Sequence, residues 1–170
     1  MDFVAEYSAL AVALCALGFT AWQISVQRKH NRISVKPFLH THIDHIVNDA
    51  GVNLRVSLIN GGLGPAFINE FKVLRNGKEC NFEEEVRSVM KTRAGKVFHT
   101  VLDGDAAMSR NEKHVLLSVT LTEMNEEEVG NFEEEMGEFD LVVRYSSIYE
   151  DKFTYDSIKE RLKKQTSWSQ

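Results

Sequence analysis

Cysteine and proline are scarce in this 170-residue chain, and positive charge is missing from its start. Cys15 and Cys80 are the two cysteines; one lies inside an apolar run and the other far beyond it, so they cannot pair within one chain. This usage is typical of a reducing compartment and excludes a disulfide-rich secreted domain. The first 27 residues hold no Lys or Arg, and their only charges are Asp2 and Glu6. A cleaved signal peptide begins with positive charges, so we do not expect this segment to be one.

Signatures of common enzyme classes are missing as well. The chain has no Cys-x-x-Cys pair, no G-x-S-x-G nucleophile elbow and no G-x-x-x-x-G-K-[ST] phosphate loop. From residue 37 onward, 16 Lys and Arg stand against 23 Asp and Glu, so this part carries a net charge near −7. Such a domain repels nucleic-acid phosphates, and we expect no direct nucleic-acid partner.

One long apolar run is present, from Val4 to Val26. At 1.5 Å per residue its 23 residues span about 35 Å, enough to cross a hydrocarbon core of about 30 Å. We predict a short outer end (1–3), a transmembrane helix (4–26) and a basic juxtamembrane junction (27–36); a buried helix of a soluble protein is the alternative. Because the basic residues follow the run, the positive-inside rule places the N-terminus outside and the rest in the cytoplasm. The junction's basic residues are Arg28, Lys29, Arg32 and Lys36.

Small residues recur along one side of the predicted helix. Such a stripe lets two helices approach closely, and an ionisable group beside it is a functional candidate. We predict that this face mediates self-association, with membrane lipid and further copies of the chain as partners. The predicted assembly face comprises Ala5, Glu6, Ala9, Ala13, Ala16 and Thr20.

The remainder has the pattern of short strands. Alternating apolar residues predict a strand over 52–59, and the Asn76-Gly77 pair predicts a hairpin. Further strands are expected at 38–47, 67–73, 78–82, 96–102, 115–122, 139–146 and 152–155, with a short helix at 82–92. The acidic segment 123–136 is interpreted as a loop with a weak helical turn. We therefore predict a mainly β fold: a transmembrane helix, an antiparallel β-sandwich of immunoglobulin-like layout with one or two short helices (37–157), and a C-terminal helix or tail (158–170).

Glycines are concentrated in the segment Asn60-Gly61-Gly62-Leu63-Gly64-Pro65-Ala66. Its backbone amides could cradle an anion, but the proline removes one donor. A structural turn is the favoured interpretation.

The segment HTHIDH at 40–45 spells H-x-H-x-D-H, which is similar to the zinc motif of the metallo-β-lactamase superfamily. The resemblance implies His40, His42, Asp44 and His45 as metal ligands. Three features disagree with it: the segment starts the domain, the domain is small, and only His99 and His114 remain as later histidines. In a strand, positions 40, 42 and 44 share one face and 45 lies on the other. We expect no metal or other cofactor.

The strings NRISVKPFL, LRVSLINGGLGPAFINEFKV and FDLVVRYSSIYEDKF resemble a group of small bacterial single-pass membrane proteins. That group combines one N-terminal helix, an N-R-x-S-V-[KR]-P junction and an L-x-N-x-G-x-G-P-A turn, and it implies the bacterial inner membrane but no activity. Length and layout are also similar to the membrane accessory proteins of type VI-B CRISPR systems, which assemble into pores. That resemblance implies a pore or depolarising effector in antiviral defence.

Three functions follow as expectations. The first is a non-enzymatic, self-assembling membrane protein, which would form a pore if the second resemblance holds. The second is a tether or adaptor that recruits a cytoplasmic protein partner through an exposed sheet edge or loop. The third is a metal-dependent hydrolase that uses the HTHIDH segment.

Overall fold

The computed structural model describes the backbone of residues 2–48, 51–91, 95–100, 102, 105–122 and 126–167. It also describes the side chains of these residues, except those of 2–6, 47–48, 95, 126 and 164–167. It begins with one helix, α1 (Asp2–Ser34), of 33 residues. At 1.5 Å per residue α1 is about 50 Å long. No side chain from Tyr7 to Ser34 is buried, so α1 projects away from the rest of the chain. By length and composition it can cross a membrane.

Two antiparallel sheets follow, which together with the later helices we call the β domain. The first sheet has the strand order β1-β2-β7-β5, and the second has the order β4-β3-β8-β9 with β6 beside β3. The strands are β1 (Leu39–Asn48), β2 (Gly51–Asn60), β3 (Ala66–Arg75), β4 (Lys78–Glu79), β5 (Gly95–His99), β6 (Ala107–Met108), β7 (Lys113–Leu121), β8 (Phe139–Ser146) and β9 (Lys152–Asp156).

The two sheets share a core at the end of the β domain that carries α1. Leu39 and Leu58 of the first sheet are buried in the same cluster as Ile68, Val143 and Tyr145 of the second. Alternating positions of β1 and β2 supply this face because side chains along a strand point to opposite sides. The prediction of a mainly β, antiparallel domain behind an apolar helix is confirmed, and the immunoglobulin-like layout stays a prediction.

The opposite end of the first sheet is covered by two helices, α2 (Phe82–Met90) and α3 (Glu126–Gly137). Val86 and Val89 of α2 and Phe132 of α3 are buried against Leu54 and Val119 of the first sheet. A last helix, α4 (Ser157–Ser167), follows β9 directly.

Several predicted elements agree with the structure. Asn76 and Gly77 both have positive φ, 52° and 76°, as a two-residue hairpin turn requires. The short helix predicted at 82–92 is α2 (Phe82–Met90), and Asn81 caps it, because the Asn81 side-chain oxygen accepts hydrogen bonds from the amides of Glu83 and Glu84 at 3.1 and 3.5 Å. The final hairpin lies where it was predicted, in β8 and β9.

Other predicted bounds were wrong. Segment 126–137 is a helix of 12 residues and not a loop, because one side of it, with Phe132 at its centre, packs on the core; its many glutamates concealed this face. The return strand predicted at 78–82 stops at Glu79, where the chain turns into α2. The helix that contains the predicted transmembrane span 4–26 continues through most of the junction to Ser34, and the bounds of the span stay a prediction. Residues 92, 101 and 123–125 of the predicted elements lie outside the described part of the chain.

Candidate functional site

The junction between α1 and β1 packs directly on the glycine-rich turn. The amide of Leu63 donates to the carbonyl of Lys36 at 3.1 Å, and the amide of Gly61 donates to the carbonyl of Phe38 at 2.8 Å. Pro37 between them is fully buried. The chain leaving the helix is therefore hydrogen-bonded to the β domain within four residues of the end of α1.

Glycine is required at two positions of this turn by close approach of the backbone. A Cβ atom at Gly62 would lie 2.3 Å from the Phe38 nitrogen, and one at Gly64 would lie 1.9 Å from the Val35 carbonyl oxygen. Neither distance is possible between non-bonded atoms, and the obstructing atoms are backbone that cannot rotate away. The turn is structural, as the sequence indicated, and its packing partner is the junction.

A single buried side chain joins the segments that meet here. The side-chain oxygen of Asn60 accepts hydrogen bonds from the amides of Phe38 (3.2 Å) and Gly62 (3.0 Å). Its nitrogen donates to the carbonyls of Gly64 (2.8 Å), Met108 (3.0 Å) and Ser109 (3.2 Å). Asn60 is fully buried, so these bonds replace the water that its amide would otherwise hold.

The last turn of α1 is also held by a side-chain pair. Arg32 makes a two-point contact with Asp151, with Nη2 to Oδ1 at 2.6 Å and Nε to Oδ2 at 3.3 Å. The Arg32 guanidinium lies 5.8 Å from the centre of the Tyr149 ring, and the Lys36 ammonium lies 5.2 Å from that of Phe153. Two of the four predicted basic junction residues thus bind the β domain, whereas Arg28 and Lys29 lie exposed on the helix.

The turn that supplies Asp151 has its own internal bonds. Ser147, which is buried, accepts hydrogen bonds on its hydroxyl from the amides of Tyr149 and Asp151 at 3.2 and 3.3 Å. Its own amide donates to the carbonyl of Asp151 at 2.9 Å. These bonds hold the carboxylate toward Arg32, so the contact joins two preformed elements.

The members of the predicted assembly face whose side chains are described, Ala9, Ala13, Ala16 and Thr20, are exposed along α1. The positions of Ala5, Ala9, Ala13, Ala16 and Thr20 fall within about 40° of one line on the helix, at 100° per residue. The Thr20 hydroxyl donates to the Ala16 carbonyl at 2.8 Å, so this polar group is satisfied within its own helix. Ala5 and Glu6 belong to α1, and their side chains lie outside the described part.

The HTHIDH segment lies in β1, where His42 and Asp44 contact each other while His40 and His45 contact other residues. Nε2 of His42 lies 2.8 Å from Oδ1 of Asp44, whose Oδ2 accepts a hydrogen bond from the Lys113 ammonium at 2.6 Å. His45 points elsewhere and lies 3.1 Å from Glu133 of α3. His40 stacks on Phe38, with 5.8 Å between the ring centres.

This arrangement does not fit a zinc centre. The Lys113 ammonium already neutralises Asp44, and this hydrogen bond is the main cause that lowers the pKa of the Asp44 carboxyl. Within the described residues, no three His, Cys, Asp or Glu side chains converge as metal ligands would.

A cavity of about 320 Å³ lies between the two sheets. Its walls are mainly apolar and come from both sheets, and its volume is in the range of small-ligand pockets. Two pairs of polar groups in its walls are already bonded: the hydroxyls of Thr41 and Tyr155 lie 2.6 Å apart, and Asp140 is paired with Arg161 of α4. Burial raises the pKa of Tyr155, so it stays a neutral hydroxyl at ordinary pH. The apolar walls include Ile43, Val56, Phe71, Val73, Leu117 and Leu141.

Sequence reasoning did not identify Asn60, Tyr149 or Asp151 as partners of the helix end. The nearest signal was the clustering of Asn and Gly at 60–64, which indicates a turn but not what the turn touches. No protein-family model, no curated protein and no solved structure matches this chain.

Proposed function

We propose that this chain is a non-enzymatic, single-pass membrane protein whose helix self-associates and thereby sets the positions of its β domains at the membrane surface. The observation that carries the proposal is the fixed junction. A passive tether needs only a flexible linker between anchor and domain. Here an unbroken helix, two glycines under close contact, a buried asparagine and an Arg–Asp pair connect the two parts.

Because of this connection, the orientation of the helix fixes the orientation of the β domain, and the reverse also holds. If two α1 helices pack along the alanine face, each β domain takes a defined position relative to the other, and contact between β domains in turn orients the helices. The face suits this role because it is exposed, small and lined by a hydroxyl that is already satisfied. The basic residues after the run favour a β domain on the cytoplasmic side.

The mass of the purified protein in mild detergent tests this proposal. We expect a multiple of the 19.4 kDa protomer. The double change Ala9→Leu with Ala13→Leu should reduce the mass to one protomer, since bulky side chains hold the backbones apart, while the circular dichroism of the β domain stays unchanged. Ala11→Leu with Cys15→Leu is the matched control, because these positions lie on the opposite side of the same helix. A protomer mass for the unchanged protein contradicts the proposal.

A conducting pore is the more specific form of the same function, and it corresponds to the membrane effector implied by the type VI-B resemblance. Its test is leakage of a trapped dye from vesicles that contain the protein. Leakage that the Ala9→Leu, Ala13→Leu protein has lost supports the pore. An oligomer that leaves vesicles sealed supports assembly without a pore.

An adaptor role has one observation in its favour. The edge strand β5 pairs along one side with β7, and its Phe98 is 61% exposed. An exposed edge with an aromatic side chain is the kind of surface that accepts a strand from a partner. A pull-down with the unchanged protein and with the Phe98→Ala protein as baits tests this alternative. A stoichiometric partner that binds the unchanged protein and is lost with Phe98→Ala supports it.

A further inference from the structure

Large apolar side chains are exposed at the end of the β domain that carries α1. They lie in two turns, 61–65 and 147–151, which we call the turn pair. Leu63 is 55% exposed, Ile148 59% and Tyr149 45%. Both turns contact the end of the helix, the first through the Leu63 amide on Lys36 and the second through Arg32.

We propose that the turn pair docks on the lipid headgroups of the bilayer leaflet from which α1 emerges. The β domain then rests on the membrane by a second contact in addition to its helix. This inference rests on the proposed function only in requiring that α1 spans the bilayer.

Helix length places the turn pair at the level of the headgroups. Arg32 lies six residues beyond Val26, the last residue of the apolar run, which is about 9 Å along the axis. The headgroup region on each side of the hydrocarbon is about 5–8 Å thick, and a helix tilted by about 20° brings one side of the domain lower. The Tyr149 ring beside Arg32 is therefore at the outer edge of the headgroup layer when the helix stands upright, and within the layer that tyrosine prefers when the helix tilts toward that side.

Charge at this end is complementary to acidic lipid. Arg28, Lys29 and Lys152 are exposed near the turn pair, and Asp151 is neutralised by its contact with Arg32. Glu150 and Glu112, whose carbonyl accepts from the Asn60 amide, are opposing charges, and the exposed Lys152 and Arg110 are close to them in sequence. The rest of the domain is strongly acidic, so an anionic surface attracts this end and repels the others.

A lipid surface fits these observations better than a second copy of the chain. The apolar side chains sit at the tips of turns around a helix that leads into the bilayer, so insertion of the helix brings them to the membrane with no further search. A protein partner at the same place would have to displace headgroups.

Fluorescence quenching by lipid tests the proposal on the full chain. Both native tryptophans are first replaced, by Trp22→Phe and Trp168→Phe. Three single-tryptophan proteins are then made by adding Ile148→Trp, Leu63→Trp or Phe98→Trp. A fourth protein carries Trp168→Phe alone and keeps the native Trp22. Each is placed in vesicles of phosphatidylethanolamine and phosphatidylglycerol that contain a phosphatidylcholine with a nitroxide on its headgroup. Phe98→Trp is the matched control, because Phe98 is about as exposed as Ile148 but lies far from the turn pair. Phe98 pairs with Ser118 of β7, which pairs with Arg55 of β2. Arg55 is five residues, or about 17 Å, along β2 from Asn60.

We expect the Ile148→Trp and Leu63→Trp proteins to lose a large part of their emission, comparable to that lost by Trp22, and the Phe98→Trp protein to lose none. If Trp22 is quenched but the turn-pair proteins behave like Phe98→Trp, docking is wrong while the anchor stands. If those unquenched turn-pair proteins are also shielded from acrylamide, a second copy covers the turns, and docking is again wrong. An unquenched Trp22 removes the membrane anchor and the docking together.

Discussion

Replacement of Asn60 by alanine is expected to destabilise the β domain more than any other single polar truncation at the junction. The change removes the two hydrogen bonds accepted by the side-chain oxygen and the two N–H groups that are shared among three carbonyls, so two amides and three carbonyls lose this partner in a fully buried place. A buried polar group left unsatisfied costs about 1–3 kcal/mol, and a water entering the space recovers part of this. We expect a loss of about 3–4 kcal/mol in the free energy of unfolding, or about 10–15 °C in the melting temperature.

The assay is urea unfolding of the full chain in mild detergent, followed by the circular dichroism of the sheets. Asn53→Ala is the matched control because Asn53 lies on the same strand, is half-buried and makes one side-chain hydrogen bond, to Thr120 at 2.8 Å. It should lose about 1 kcal/mol. Equal losses for the two proteins would refute the reasoning that Asn60 holds the junction.

Three further predictions concern charged groups. Arg32→Ala and Asp151→Ala should each lower the free energy of unfolding, and their double-mutant cycle should give a coupling of about 0.5–1 kcal/mol because the pair is partly exposed; strict additivity would show that the pair contributes nothing. The pKa of Asp44 is lowered in the folded state, so Asp44 adds stability above its unfolded pKa, and this stability is lost as the pH falls through its folded pKa. Lys113→Met should therefore make the free energy of unfolding depend less steeply on pH below about pH 4. An unchanged pH profile contradicts this. Purified protein should hold far less than one zinc per chain, and the zinc content should be the same after His42→Ala. One zinc per chain in the unchanged protein, lost in the His42→Ala protein, would restore the metal-site interpretation.

Periodicity and turn chemistry were enough to predict the elements that depend on local sequence. The apolar run predicted α1, Asn76-Gly77 predicted its hairpin, and the short helix predicted at 82–92 corresponds to α2. The acidic helix α3 was missed because a helix that is held by one buried phenylalanine shows little of its apolar face in composition.

The junction could not be predicted for a different reason. The partners of Asn60 come from three stretches of chain, around residues 38, 62–64 and 108–109. Their meeting depends on the pairing of β1 with β2 in one sheet, on the pairing of β6 with β3 in the other, and on the packing of the two sheets. Glycine at 62 and 64 is explained only by the backbone that packs on them, not by the turn conformation itself. The local sequence predicted the position of the turn, but the residues that pack on the turn depend on contacts between distant parts of the chain.

The distance between the helix and the β domain tests the central claim most directly. Spin labels at Gln23→Cys and Thr154→Cys, in a chain with Cys15→Ser and Cys80→Ala and diluted with unlabelled protein in vesicles, report that distance by double electron–electron resonance. We predict one narrow distance distribution, and a broad one when two Gly-Ser pairs are inserted after Ser34. A distribution in the uninterrupted chain as broad as in the inserted one would contradict a fixed junction.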